Sequence, residues 1–168
     1  MAKRATLSSG DVAIVDDEDF DRVSAFRWYL STHGYAQRCA HRRLGEAGTT
    51  ITMHRFVLGL PSDAGIDHIN RDRLDNRKAN LRRCTKSQNS ANREMRGTWN
   101  GKRIVSRYKG VTWKAKGSLW QARLGYQRRQ IFLGYFSSEI EAARAYNRAA
   151  LERFGEYARL NNIPETEE

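Results

Sequence analysis

The sequence has few cysteines and no long apolar run, and both absences exclude classes of protein. Its two cysteines, Cys39 and Cys84, are far apart and no C-x-x-C pair occurs, so a structural zinc site built from four cysteines is excluded. No apolar stretch approaches the ~18 residues of a membrane-spanning helix, and the N-terminus lacks the apolar segment of a signal peptide. We therefore expect a soluble, intracellular protein in a reducing compartment, with no membrane partner.

Acidic residues are outnumbered by basic ones. The 168 residues include 30 Lys plus Arg against 19 Asp plus Glu, a net charge of +11. This balance favours a polyanionic partner, because each phosphate that a basic side chain neutralises releases counterions. Charge alone separates DNA from RNA poorly, so an RNA-binding or RNA-cleaving protein is a rival interpretation. The length suits one ordinary domain or two small ones.

The first 60 residues predict a β-rich region with two short helices. The predicted strands are 12–15, 28–30, 35–40 and 51–53. The first helix follows an N-cap at Asp16 or Asp17; the neighbouring acids are typical of a helix start, with a metal site as the alternative. The second helix covers Met53–Leu60, and Pro61 ends it. For His54 a structural or substrate-positioning role is favoured over a catalytic one.

Residues 66–93 carry the pattern around which the chain is organised. Asp67 and His68 stand side by side at the end of a short apolar strand, and Asn80 and Asn89 follow His68 by 12 and 21 residues. Between them lie a basic loop, a second strand-like run and a polar helical stretch. Carboxylate and amide oxygens are hard ligands that suit Mg²⁺. A neutral imidazole is the natural base for a water molecule at neutral pH.

This pattern resembles the HNH, or ββα-metal, nuclease core, in the variant of phage intron-encoded homing endonucleases whose last motif residue is Asn. The resemblance implies that Asp67 and Asn89 hold one Mg²⁺ or Mn²⁺ and that His68 takes a proton from the attacking water. It also implies that Asn80 holds the His68 loop in place, and that the products carry 5′-phosphate and 3′-hydroxyl ends. The basic loop residues expected to contact DNA phosphates are Arg71, Arg73 and Arg77.

The C-terminal third predicts a three-stranded antiparallel sheet with one helix across one face. The strand candidates are 108–117, 119–126 and 130–136. The helix runs from Ser138 to Phe154, with Ser137 or Ser138 as its cap and an alanine-rich stripe, and Gly155 stops it. This module resembles the plant APETALA2/ethylene-response-factor DNA-binding domain over residues 107–161. The matching motifs are Tyr108-Lys109-Gly110-Val111, Trp120 with Ala122, Leu133-Gly134-Tyr135-Phe136 and Glu141-Ala142-Ala143-Arg144-Ala145-Tyr146.

The resemblance implies that the sheet face away from the helix enters the major groove of duplex DNA. Strand alternation directs Val111 and Trp113 towards the helix and the intervening residues outward. The residues expected to contact DNA are Lys109, Thr112, Lys114, Gln121, Arg123, Arg128, Arg129, Gln130 and Phe132. Thr112 and Phe132 depart from the plant pattern, so the DNA sequence that the plant domains prefer does not predict the one that this chain prefers.

Together these observations predict an α+β chain with two modules. The predicted boundaries are 1–93 for the HNH nuclease domain with its core at 66–93, 94–106 for a basic linker, 107–161 for the DNA-binding domain and 162–168 for a tail. The predicted function is a sequence-directed, metal-dependent homing-type DNA endonuclease that nicks one strand, acting as a monomer in the host-cell cytoplasm if phage-encoded. The alternative is a catalytically inactive DNA-binding regulator built from the same modules.

Overall fold

A computed structural model describes residues 1–40, 45, 50–61, 63–93, 98–99, 102–103 and 105–164, with the backbone alone for 98–99 and 102–103. The chain divides into two compact units, Met1–Thr85 and Lys86–Glu168. Both helix and strand occur in each unit, so the α+β prediction is confirmed at this level. The division falls at 85/86, whereas the sequence predicted a nuclease domain that ends at residue 93.

The first unit contains seven strands and two α-helices in its described residues. Their bounds are β1 (Ala2–Thr6), β2 (Val12–Asp16), α1 (Asp17–Ser24), β3 (Tyr29–Leu30), β4 (Ala36–Cys39), β5 (Thr50–Thr52), α2 (Met53–Leu58), β6 (Ile66–His68) and β7 (Leu81–Arg83). β1 pairs with β2, β3–β4–β5 form a three-stranded sheet, and β6 pairs with β7, all antiparallel. The core includes Ala13, Val15, Val23, Trp28 and Met53 and extends to Ile66 and Leu81, which fixes the β6–β7 pair to it.

The acidic run forms the start of α1, as the favoured interpretation expected. Asp17, Glu18 and Asp19 occupy its first turn, where carboxylates interact favourably with the helix dipole. Asp16 is the N-cap residue, but its carboxylate accepts a hydrogen bond from the backbone N–H of Lys78 at 2.7 Å. The Lys78 ammonium in turn lies 2.5 Å from Glu18 and 3.0 Å from Asp19. These acids therefore hold the loop that precedes β7.

The end of α2 differs from the prediction. The helix stops at Leu58 because Gly59 adopts a left-handed conformation with φ of 62° and donates to backbone carbonyls of the last turn. Pro61, which the sequence analysis made responsible, comes two residues later. A glycine reaches this conformation without the steric cost that a Cβ imposes.

The second unit contains five strands and two α-helices in its described residues. Their bounds are α3 (Lys86–Asn92), β8 (Thr98–Trp99), β9 (Lys102–Arg103), β10 (Val111–Lys114), β11 (Leu119–Tyr126), β12 (Arg129–Phe136) and α4 (Glu139–Phe154). β10–β11–β12 form one antiparallel sheet, and alanines of α4 pack with Val111 and Ala122 from it. Ser138, one of the two predicted caps, accepts from the N–H of Ile140 through its side chain, and Gly155 is the C-cap, as predicted.

The predicted linker contains local structure. β8 and β9 form a short antiparallel hairpin within 94–106, although strands of two residues are too short to leave a detectable period. Residues 94–97, 100–101 and 104 of that linker, and 165–168 of the predicted tail, lie outside the described residues. None of the helices in the described part of the chain has the length and apolar composition that a bilayer crossing requires.

Candidate functional site

The β6–β7 pair fixes the Asp67 carboxylate. Asp67 stands directly opposite Arg82 in the antiparallel register. Arg82 donates from Nε and Nη2 to Asp67 Oδ2 at 3.1 and 2.9 Å, and both side chains are largely buried, 12% and 7% exposed. Opposite residues of antiparallel strands have neighbouring Cβ atoms, so the register itself creates this contact. The carboxylate is thereby held in one orientation. Arg82 was absent from the predicted site, because the pairing register is not visible in the sequence.

His68 is buried among aromatic rings. Its ring centroid lies 5.2 Å from that of His54 and 5.9 Å from that of Tyr35. Burial lowers the pKa of His68, against the opposing effects of a hydrogen bond with Asn76 and of the carboxylates nearby. The imidazole is therefore neutral at neutral pH, the state in which it can accept a proton.

His54 supports the His68 ring. It comes from the first turn of α2 and meets His68 edge to face, with an interplanar angle of 89°. Its Nε2 lies 3.1 Å from the hydroxyl of Thr52. Burial, with smaller effects from His68 and Arg55, lowers the pKa of His54 to about 3. The ring of His54 thus stays neutral and packs against the candidate base; its structural or substrate-positioning role stays a prediction.

Asn80 ties together the loop between β6 and β7. Its Oδ1 accepts from the N–H of Asn70 at 2.9 Å, and its Nδ2 donates to the carbonyl of Asp75 at 2.8 Å. Its backbone carbonyl accepts from the N–H of Ile69 at 2.9 Å. One buried side chain thus spans the segment that directly follows His68. The role of Asn80 in holding the His68 loop stays a prediction.

The basic residues of this loop make different contacts. Arg77 donates to both carboxylate oxygens of Asp75 at 2.8 and 2.6 Å, which directs its guanidinium into the loop. Arg73 is exposed and donates to the carbonyl of His33 at 2.5 Å, with its guanidinium 5.0 Å from the Tyr35 ring centre. Arg71 is exposed and has a φ of 69°. Arg71 and Arg73 therefore lie on the protein surface, where phosphates can reach them.

The four predicted nuclease residues are divided between the units. Asp67, His68 and Asn80 lie in the first, whereas Asn89 lies on α3 in the second and is partly exposed. In the described ranges of the chain, no group of three or more His, Cys, Asp or Glu side chains forms a metal cluster.

Most of the predicted DNA contacts on the second unit lie at its surface. Thr112, Arg123, Arg128, Arg129, Gln130 and Phe132 are exposed, and Lys114 is partly so. Gln121 was predicted to point outward but is only 2% exposed. It lies on the middle strand between Thr112 and Tyr135 in register, and these neighbours limit its access to solvent. Gln121 therefore cannot present its amide to DNA in this conformation.

Lys109 is the second correction among the predicted DNA contacts. Its ammonium donates to the backbone carbonyls of Ala91 and, at 2.9 Å, of Arg93, at the C-terminal end of α3. Burial, with smaller effects from Arg159 and Arg93, lowers the pKa of Lys109 to about 8. An ammonium engaged in this way is directed at the protein and away from a phosphate backbone.

A β-bulge changes which aromatic side chains the sheet exposes. The β11–β12 register shifts between Ala122 and Arg123, so that Leu133 is an extra residue on β12. Simple alternation directs Tyr135 inward, but beyond the bulge it is 55% exposed, and its ring lies 5.0 Å from that of Phe132. Sequence reasoning missed Tyr135 for this reason.

Trp113 is a further correction. It was predicted to face the helix, but it is 36% exposed and its ring lies 5.0 Å from that of Trp120. It lies one residue before the end of β10, next to the turn that leads into β11, where burial is incomplete.

Comparison with known proteins bears on both units. A sequence profile of the HNH endonuclease family matches residues 52–91. An uncharacterized HNH endonuclease of Acanthamoeba polyphaga mimivirus is 32% identical over 160 residues, which cover 92% of this chain and 76% of the relative. Two APETALA2-like proteins of rice, from the indica and japonica subspecies, are each 44% identical to this chain over 61 residues. The match covers 35% of this chain and 14% of each rice protein. The viral relative comes from a mimivirus, so a phage origin stays a prediction.

Proposed function

This chain belongs to the HNH endonuclease family of DNA-cleaving hydrolases, and we propose that it is a metal-dependent, sequence-directed, homing-type endonuclease that nicks one strand of duplex DNA per binding event. The observation that carries the proposal is the buried Asp67–His68 pair on β6, followed by a loop that the Asn80 side chain spans. The dipeptide Asp-His occurs once in the sequence, and one such pair is expected to cut one strand, so we expect a monomer to nick.

The proposed metal ligands are the side-chain oxygens of Asp67 and Asn89. This donor set fits Mg²⁺ or Mn²⁺, which bind hard oxygens and keep several positions for water and substrate phosphate. Asp67 meets the requirement of a fixed carboxylate, because Arg82 orients it. The pairing with Asn89, which lies in the other compact unit, rests on the family resemblance. When bound, the metal supplies positive charge that stabilises the phosphate in the transition state.

His68 is the proposed base that takes a proton from the attacking water. Its lowered pKa keeps the ring in the neutral, proton-accepting form at neutral pH. His54 packs against the ring, and Asn80 holds the loop that follows it, so the base has few orientations available. A base that is already oriented lowers the entropic part of the barrier.

The sheet of the second unit is the proposed DNA-recognition surface. Arg123 and Gln130 can hydrogen-bond base edges, and Phe132 with Tyr135 offers an apolar contact for thymine methyl groups or sugars. Arg128 and Arg129, at the turn between β11 and β12, are suited to phosphates. This surface would decide where on the duplex the nuclease residues act.

Relaxation of supercoiled plasmid in Mg²⁺ tests the proposal. The wild-type protein should convert plasmids that carry a cleavable site to the nicked circular form, and EDTA should abolish the reaction. His68→Ala and Asp67→Asn should leave the plasmid supercoiled while keeping DNA affinity. His33→Ala, which alters an exposed histidine of the same unit, is the matched control and should cut like wild type.

The outcome that overturns the proposal is equally concrete. If wild type and His68→Ala both leave every tested plasmid intact while specific DNA binding persists, the chain is a DNA-binding regulator. Competition between duplex DNA and structured RNA at a stated salt concentration separates the RNA-binding alternative.

A further inference from the structure

Most of helix α3 lies within the residues that match the nuclease family, but the helix packs with the second unit. The profile match of the nuclease family runs to residue 91, so it includes most of this helix. Ala91 is nevertheless buried in one cluster with Leu124, Tyr146, Ala150 and Phe154 of the second unit. A helix of seven residues is too short to be stable without such packing. The position of α3 is therefore set by the sheet and helix of that unit.

Lys109 fixes the C-terminal end of this helix. Its ammonium donates to the carbonyls of Ala91, of Arg93 at 2.9 Å and of Ser90 at 3.4 Å. The last carbonyls of a helix have no partner within the helix, and a cation there also interacts favourably with the helix dipole. The three donors of one ammonium thus meet three carbonyls among the four residues that follow Asn89 in the chain.

Lys109 is itself held by hydrogen bonds from the C-terminal segment. Its N–H donates to Asn161 Oδ1 at 2.6 Å, and Asn161 Nδ2 donates back to its carbonyl at 3.1 Å. Asn161 is bound in the same reciprocal way to Asn147 on α4, at 2.7 and 2.9 Å. A continuous series of hydrogen bonds therefore leads from α4 through Asn161 and Lys109 to α3.

Gly110 allows Lys109 to occupy this position. It has a φ of 78°, and a Cβ there would lie 2.1 Å from Cδ2 of Tyr146 and 2.5 Å from the carbonyl oxygen of Arg123. Only glycine permits the backbone to approach α4 so closely. The Lys-Gly pair thus brings the ammonium to α3 and the backbone to α4.

We propose that Lys109 is a positioning residue of the nuclease site, which orients the Asn89 side chain by holding the end of α3 on the DNA-recognition unit. The inference deepens the proposed function and rests on it for the role of Asn89. Asn89 and Lys109 both belong to the second unit, so this contact gives that unit a proposed role in metal binding besides its proposed role in recognising DNA. Loss of Lys109 should therefore impair cleavage through the metal and leave recognition of the target intact.

The test compares four full-length variants with the wild-type protein. Lys109→Met removes the ammonium and keeps most of the stem, and Lys109→Arg keeps a cation. Lys116→Met, at an exposed turn of the same unit, makes the same change in charge and is the matched control. Asn89→Ala gives the effect of losing the metal ligand itself.

Two readouts distinguish positioning from general stability. The first is the Mn²⁺ concentration that gives half-maximal cleavage, which should rise about 10- to 100-fold in Lys109→Met, as is typical when a group that orients a metal ligand is removed. Saturating Mn²⁺ should restore cleavage, and Lys109→Arg should recover part of the wild-type metal dependence. The second is amide hydrogen exchange, which should accelerate over residues 86–93 and not elsewhere in Lys109→Met. Lys116→Met should match wild type in both.

The results that overturn the inference differ from those that overturn the proposed function. If Asn89→Ala loses cleavage but Lys109→Met keeps wild-type metal dependence and exchange, positioning by Lys109 is wrong and the nuclease proposal stands. If Lys109→Met instead weakens DNA binding and reduces its salt dependence by about one phosphate, Lys109 is a DNA contact. If wild type and Asn89→Ala behave alike, the proposed metal site is wrong, and the exchange measurement still decides whether Lys109 holds α3.

Discussion

Replacement of Asn80 by alanine tests whether one side chain holds the segment behind the candidate base. Asn80 is 7% exposed, and its amide group joins two points of the loop, the N–H of Asn70 and the carbonyl of Asp75. Alanine keeps the backbone and removes both contacts. We expect the loop to loosen and cleavage to slow, with the fold retained.

The expected loss of stability follows from the two partners. The hydrogen bond with Asn70 is partly exposed, so water can replace it, and its net contribution is about 1 kcal/mol. The hydrogen bond to Asp75 is buried, so its carbonyl loses its partner at a cost of about 1–3 kcal/mol. The sum, ~2–4 kcal/mol, is less than the ~5–15 kcal/mol stability of a typical domain. For a unit of the size of Met1–Thr85 it corresponds to a decrease in Tm of about 8–30 °C.

Differential scanning calorimetry and native-state hydrogen exchange measure these effects. Asn80→Ala should lower Tm and raise exchange at the amides of residues 69–76, and cleavage should be slower at temperatures well below the new Tm. Asn162→Ala, at an exposed asparagine, is the matched control. Surface substitutions usually change stability by less than ~0.5 kcal/mol. An Asn80→Ala protein as stable as this control would refute the hydrogen-bond argument; one that is destabilised but cuts at the wild-type rate would refute the link to His68.

Three further changes test other parts of the structure. The pKa of His54 is about 3 in the folded protein and 6.5 in the unfolded chain, so between those pH values only the unfolded state takes up this proton. The free energy of unfolding should therefore fall by up to ~1.4 kcal/mol for each unit by which the pH decreases. Urea titrations at several pH values measure this free energy, and it should depend less steeply on pH in His54→Gln. Arg123→Ala should weaken binding to the cognate site by ~1–3 kcal/mol and to random DNA by less, as measured by fluorescence anisotropy; equal losses would make Arg123 a phosphate contact. Ser138→Ala removes the α4 cap and should lower the free energy of unfolding, measured by thermal unfolding, by about 1 kcal/mol, which is more than Ser137→Ala should. Equal losses in the two variants would show that the cap contributes nothing measurable.

Much of the fold was predictable because its signals are local. The alanine stripe and caps of α4 lie within 20 residues of each other, so the helix and its ends follow from the sequence. The spacing of Asp67, His68, Asn80 and Asn89 predicted a nuclease core, and family membership is consistent with that reading. The roles of these four residues stay predictions, since the comparisons match the family and do not test individual side chains.

The features that escaped prediction depend on which residues meet across long separations in the chain. Arg82 faces Asp67 only because β6 and β7 pair in one register, and a shift of one residue would remove the contact. The bulge at Leu133 reverses the alternation and exposes Tyr135, and the middle-strand position of Gln121 buries it.

The sequence by itself determined most of the longer elements, the chemical types of the candidate site residues and the basic charge, because periodicity, capping and composition are properties of neighbouring residues. Only the tertiary structure decided that Lys109 holds the end of α3 and that α3 packs with the second unit. The physical reason is that a hydrogen bond or a buried contact between distant residues depends on the path of the whole backbone between them, which no local pattern specifies.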